Sequence, residues 1–228
     1  MPITFIAAAG GDNSVSTSVL PISVPSGTAN GDVMLLGISQ RGNFAAINFP
    51  AQTGWTLIRE DDEATHFSQG LWYRVASSEP ASYNFDASAT PGRAAGSIMT
   101  FRGVDTASPI DAHGGQSTSA ANVNCVAPSI SPVGSPDMLA GFFCTEFQGA
   151  TFTPPTGMTE AYDGTSGTGT SNSGCSIEAT YQILSASGAT GTRTAVCSDS
   201  RDNCGQLVAL KDAASNVLRL LASLGVGI

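Results

Sequence analysis

Four segments of this chain recur in the same order at an offset of 103 to 109 residues, and that internal repeat limits the folds open to it. Gly31-Asp32-Val33-Met34-Leu35-Leu36-Gly37 has its counterpart in Pro136-Asp137-Met138-Leu139-Ala140-Gly141. Phe49-Pro50-Ala51-Gln52-Thr53-Gly54-Trp55-Thr56 matches Phe152-Thr153-Pro154-Pro155-Thr156-Gly157-Met158-Thr159. Leu71-Trp72-Tyr73-Arg74-Val75 matches Ala179-Thr180-Tyr181-Gln182-Ile183, and Gly96 to Phe101 matches Gly205 to Leu210. A biased composition produces one such block by chance; four in register are hard to dismiss.

The blocks have the period of strands. Leu71, Tyr73 and Val75 alternate with Trp72 and Arg74, and Ile98 and Thr100 alternate with Met99 and Phe101. Val33 to Ile38 is a nearly continuous apolar run, as expected of a strand covered on both faces, and Asn30-Gly31-Asp32 before it is a turn signal. Further strands are expected near Ile3–Ala8, Ser18–Val24, Tyr83–Ala87, Val123–Ile130 and Gly191–Cys197. With 26 Gly, 12 Pro and only 12% charged residues, short strands and many turns suit the composition. The expected fold is all-β: a jelly-roll-like antiparallel β-sandwich formed from two related halves, residues 1–105 and 106–212, followed by a short helical tail, 213–228. The halves are expected to share one sandwich; two tandem sandwiches are the alternative.

The net charge of −9 includes a single lysine, Lys211, and an acidic surface of this kind repels phosphate backbones, so no nucleic-acid partner is expected. The segment after Met1 has no basic n-region or long apolar core, so no signal peptide is expected, and synthesis is expected in a cytoplasm. No apolar run reaches the ~20 residues that cross a bilayer, so no membrane partner is expected. Five cysteines, Cys125, Cys144, Cys175, Cys197 and Cys204, lie in the second half; their odd number argues for thiols, with Cys197 and Cys204 as one pair that could meet across a hairpin. Neither these nor His66 and His113 have zinc spacing, and no cofactor or metal is expected.

Motifs of catalysis do not emerge: there is no nucleophile elbow, no phosphate loop and no zincin helix, so an enzyme is not expected. The acids from Glu60 to Glu63 read as a charged strand end or tip, with a calcium site as the sharper alternative. Trp72 shares a strand face with Arg74 and is the better of two tryptophans for stacking on a glycan, although core packing is the stronger expectation. Trp55 follows a turn glycine and is replaced by Met158 in the repeat, which suits packing. Asp163 to Gly174 is almost wholly Gly, Ser and Thr, and is expected to be an exposed loop that tolerates shortening. In the tail, Ser215-Asn216 can cap a helix, and Val217, Leu218, Leu220, Leu221 and Leu224 follow at near-helical spacing as candidate partner-binding residues.

The string Asn30-Gly31-Asp32, Thr53-Gly54-Trp55-Thr56-Leu57, Leu71 to Ala76, Glu79-Pro80 and Phe101-Arg102-Gly103-Val104-Asp105 with Pro109-Ile110-Asp111 resembles a group of β-rich proteins from tailed-phage structural modules and bacterial genomes. The likeness covers residues 20 to 112 clearly and the rest weakly. It implies a virion role, as an exterior head-decoration or tail-associated structural protein, with other copies of itself and other virion proteins as partners. A receptor- or glycan-binding adhesin, touching a host-surface glycan, is the alternative.

Overall fold

The structure is a computed structural model that describes residues 2–13, 17–42, 49–63, 67–87, 92–134 and 136–213. The described residues form thirteen β-strands in three antiparallel sheets, none closed into a barrel. The first sheet has five strands: β1 (Thr4–Asp12), β3 (Val33–Arg41), β4 (Thr56–Asp62), β5 (Phe67–Val75) and β7 (Arg93–Arg102), in the spatial order β1-β7-β3-β5-β4. A two-stranded sheet, β2 (Val19–Ser23) with β6 (Ser82–Asp86), accompanies it. The remaining strands make the six-stranded sheet: β8 (Ile110–Ala127), β9 (Met138–Thr145), β10 (Phe152–Thr153), β11 (Thr159–Thr165), β12 (Ser176–Ile183) and β13 (Arg193–Leu210). Its main body runs β13-β9-β12-β11, with β8 and β10 both paired to β13.

Alternation along the central strands explains the layers. Val33 and Leu35 of β3 face Met138, Ala140 and Phe142 of β9 in the largest apolar cluster, which also takes Leu71, Met99, Ile177 and Val208. Met34, Leu36 and Ile38 point the other way, where Leu20, Ile22 and Phe85 of β2 and β6 cover them. Likewise Leu139 and Phe143 turn to the outer face of the second sheet, beneath Cys125, Ala127, Phe152, Ala195 and Cys197. The two large sheets therefore lie face to face, each with a thinner layer on its outer side. A strand buried on both faces needs an unbroken apolar run, and each such leucine or phenylalanine contributes about 1.5–3 kcal/mol.

Strand β1 lies against β11, and β4 against β8, so the edges of the facing sheets meet crosswise. Glycines make these approaches possible. At Gly10 a Cβ would sit 1.9 Å from the Tyr162 ring, at Gly115 it would sit 2.7 Å from Arg59 Nε, and at Gly37 it would sit 2.3 Å from Phe142 Cδ1. Charged groups join the same faces: Arg41 Nε meets Glu146 at 3.2 Å, and Gln206 Nε2 donates to Asp61 Oδ2 at 2.7 Å and to Gln69 O at 3.1 Å.

Several sequence expectations change here. The stretch between the halves, Asp105 to Gly115, is no loop throughout: from Ile110 onward it belongs to the 18-residue β8. Cys197 and Cys204 do not face each other across a hairpin, because both lie on the single strand β13; all five cysteines are buried thiols. The Gly/Ser/Thr stretch is exposed from Thr168 to Thr170 and at Asn172 and Ser173, as expected, but it is anchored. Its first three residues belong to β11, Ser166 is fully buried, and Gln148 Nε2 donates to Thr168 O at 2.5 Å while the Gln148 and Ser171 backbones exchange hydrogen bonds. Small residues are needed there for close backbone approach, as where Gly149 meets Gly169 O. Gln148→Ala is expected to cost about 1–3 kcal/mol through the carbonyls it leaves unmatched. A melting temperature equal to that of the parent protein would refute this anchoring. The tail candidates Val217, Leu218, Leu220, Leu221 and Leu224 lie outside the described residues, as does His66.

Candidate functional site

A turn and a side-chain clamp build the clearest cleft. Gly54, at φ +79°, reverses the chain before β4, and the Trp55 N–H closes the turn on Gln52 O at 2.9 Å. Gln52 then grips the end of β6 with both ends of its amide: Nε2 donates to Asp86 O at 2.7 Å, and Oε1 accepts from the Asp86 N–H at 3.0 Å. The loop is thereby held beside β6, leaving a cleft of about 390 Å³ lined by Gln52, Thr53, Trp55, Tyr83, Asn84 and Phe85.

The aromatic groups form a mutually packed trio. Trp55 meets Tyr83 edge-on at 5.6 Å and Phe85 edge-on at 5.4 Å, while Tyr83 and Phe85 stack at 5.5 Å. Trp55 Nε1 is buried without a hydrogen-bond partner. Behind Tyr83, its hydroxyl donates to Glu79, which also receives Arg74 Nε at 3.0 Å and the Ser77 N–H at 2.7 Å. Burial, then the Glu79 carboxylate, pushes the Tyr83 phenol up to about 12. Burial opposes ionisation of Glu79, yet the hydrogen bonds from Tyr83, Ser77 and Arg74 hold its carboxyl below its ordinary value. Arg74 lies 5.8 Å from the Tyr83 ring centroid and ties the assembly to the loop through Gly54 O. With exposed Thr53, Asn84 and Asp86 around half-buried Tyr83, the cleft offers an aromatic wall and hydrogen-bonding groups, the chemistry that holds a polyhydroxylated ligand.

Trp72, the weak candidate for a glycan contact, is elsewhere and packs in the core, as the stronger expectation had it: it is 2% exposed, edge-on to Phe49 at 5.3 Å, over the gap left by Gly70. Arg74 does share its strand, but it turns to Glu79 at the strand end while Trp72 is covered by the outer layer. Tyr83 and Phe85 were legible as one face of an alternating strand; their meeting with Trp55 was not, since it depends on the Gln52 clamp.

The run of acids is structural. Glu60 Oε1 accepts the Phe49 N–H at 2.8 Å, Asp61 accepts two bonds of 2.6 Å from Arg59, and Asp62 Oδ1 accepts from Ser68 Oγ at 3.0 Å. His113, on β8, lies 3.4 Å from Arg59 Nη1, and burial followed by that guanidinium lowers its affinity for a proton. Among the described residues no three His, Cys, Asp or Glu side chains are placed to hold a metal ion, and no helix is long and apolar enough to cross a membrane. No protein-family model, curated protein or solved structure matches the chain.

Proposed function

We propose that this chain is a non-enzymatic structural protein of a tailed-phage virion, placed on the exterior of the head or associated with the tail. The observation that carries the proposal is how polar side chains cross-link the facing sheets and the ends of neighbouring strands. Arg41–Glu146, Arg59–Asp61–Gln206 and Arg102–Asp32 each join strands or loops distant in sequence, the last through two bonds of 2.8 and 2.9 Å. Such cross-links favour a rigid body whose surface does the work. The motif set from Asn30 to Asp111 supports a virion setting by resemblance, and a net charge of −9 suits a face turned away from packaged DNA.

Within that reading, residues 1–105 and 106–212 are two copies of one unit that share a jelly-roll-like sandwich. The order β1-β7-β3-β5-β4 parallels β8-β13-β9-β12-β11, and register shifts fall at matching places, after Phe5 and near Ile110, after Leu57 and after Glu160. On this reading the apolar tail, residues 213–228, serves to dock on a neighbouring copy or another virion protein. Immunogold labelling of intact purified particles tests the exterior position. Gold on heads or tails is the expected result, and particles that stay unlabelled while denatured particles react would overturn it.

A second reading, a glycan-binding adhesin module, is favoured by the cleft at Trp55, Tyr83 and Phe85. On a glycan array the full chain would then bind a defined oligosaccharide, and Tyr83→Ala would abolish the signal. Binding that survives Tyr83→Ala would place any glycan site away from this cleft.

A further inference from the structure

We propose that Cys125 and Cys197 form a redox site, in which a peroxide converts two buried thiols into a disulfide that staples β8 to β13 over the outer face of the second sheet. Cys125 stands opposite Ala195 in the ladder, so Cys197, two residues along, shares its face on the diagonal. The ladder loses its register immediately after Val196, where β13 turns from the outer layer into the main sheet. At that bend the two side chains lie in the same buried cluster on the outer face, where the Cys125 thiol donates to Cys144 O at 3.8 Å.

The pair is chemically unequal. The neighbouring Cys125 thiol, helped by the Asp199 N–H at 3.5 Å and by Thr145, lowers the Cys197 thiol to about 7 despite burial. The neighbouring Cys197 and then burial raise Cys125 far above its ordinary value. Cys197, which accepts the Asp199 N–H and is the less deeply covered of the two, is the attacking thiolate, and fully buried Cys125 is the resolving thiol. Access comes through a thin cover. Cys197 is 3% exposed, its neighbour Val196 is 44% exposed, and on that side only the two-residue β10 pairs with it, through Phe152 and Thr153. So short a ladder opens locally at little cost. The other thiols are sealed between the large sheets: Cys144 donates to Gln69 Oε1 at 3.1 Å and Cys175 to Ser39 O at 3.4 Å.

The thiolate of Cys197 attacks one oxygen of hydrogen peroxide, an S–O bond forms, the O–O bond breaks, and the leaving hydroxide takes a proton to become water. Cys125 sulfur then attacks the sulfenic sulfur; the S–S bond forms, the S–O bond breaks, and the hydroxide leaves with the Cys125 proton as a second water. Two electrons pass from the sulfurs to the peroxide, and nothing else is consumed.

The full chain is treated with hydrogen peroxide at neutral pH, then denatured, alkylated and mapped without reductant. Two of the five cysteines should escape alkylation, in one cross-linked peptide pair carrying Cys125 and Cys197, with a rise in melting temperature of several degrees that dithiothreitol reverses. In Cys125→Ala, which keeps a small apolar group in place, Cys197 should instead be trapped as a dimedone-reactive sulfenic acid. Five alkylated cysteines after methionine oxidation has shown that peroxide reacted, a cross-link between Cys144 and Cys204, or no sulfenic acid in Cys125→Ala would each overturn the assignment.

Discussion

Glu178→Gln is expected to stabilise the protein, and to do so far more at pH 8.5 than at pH 5. Glu178 lies on β12 with its side chain fully buried, and neither carboxyl oxygen has a hydrogen-bond partner. Burial pushes it up to about 8, with further contributions from Glu160 and Asp163 on β11 and from Cys197 on β13. Asp163 is directly opposite in the ladder and is itself raised to about 6. The sign follows from proton counting. Between the ordinary value of 4.5 and about 8, the unfolded chain has released the Glu178 proton and the folded chain retains it. Stability is therefore fully present below 4.5, falls by up to about 1.4 kcal/mol per pH unit through that window, and is lost above it. The total is on the order of 4 kcal/mol for a group so enclosed. Glutamine keeps the shape without the ionisation, so its advantage should grow across the same window, while Asp163 leaves a shared, smaller slope in both proteins. Chemical denaturation of the two proteins from pH 5 to 8.5 measures this directly. Parallel curves would show that Glu178 carries no such penalty.

Phe142→Ala is expected to cost about 3–5 kcal/mol, the range for emptying a fully buried aromatic site. Phe142 sits at the centre of the interface between the large sheets, and its ring occupies the space that Gly37 leaves open. Gly37→Ala should then cost about 1–3 kcal/mol by overpacking, because the added methyl meets the ring. Combined with Phe142→Ala, the same methyl enters the vacated space, so the double variant should lose clearly less than the sum of the singles. Urea denaturation of the four proteins gives the coupling. Strictly additive losses would mean that the two residues do not share one space across the sheets.

The fold class was legible because the central strands announce themselves. Val33–Arg41 and Met138–Thr145 are buried along both faces, and an unbroken apolar run is what such a position demands. Other elements were set by distant partners. The first part of β8, Ala112 to Asn122, is a string of Gly, Ser, Ala and polar residues with no alternation; it is extended because β13 offers it a ladder and because Gly115 must pass close to Arg59. For the same reason β13 reads as two short strands in the sequence yet runs unbroken from one layer into the next. Composition showed the exposure of the Gly/Ser/Thr stretch but not its anchoring: a segment with no large side chains can still be fixed when another residue, here Gln148, supplies the hydrogen bonds. At the candidate cleft, Trp55 and Tyr83 were each visible as aromatic strand residues. Their convergence was not, since it rests on one buried amide, Gln52, binding a backbone 34 residues away.

The virion reading is tested most directly by quantitative mass spectrometry of purified phage particles, with the chain counted against the major capsid protein. The account predicts that the chain co-purifies through a density gradient at a fixed copy number related to the symmetry of the head lattice or of the tail. A chain abundant in the lysed host and absent from the particles would contradict it.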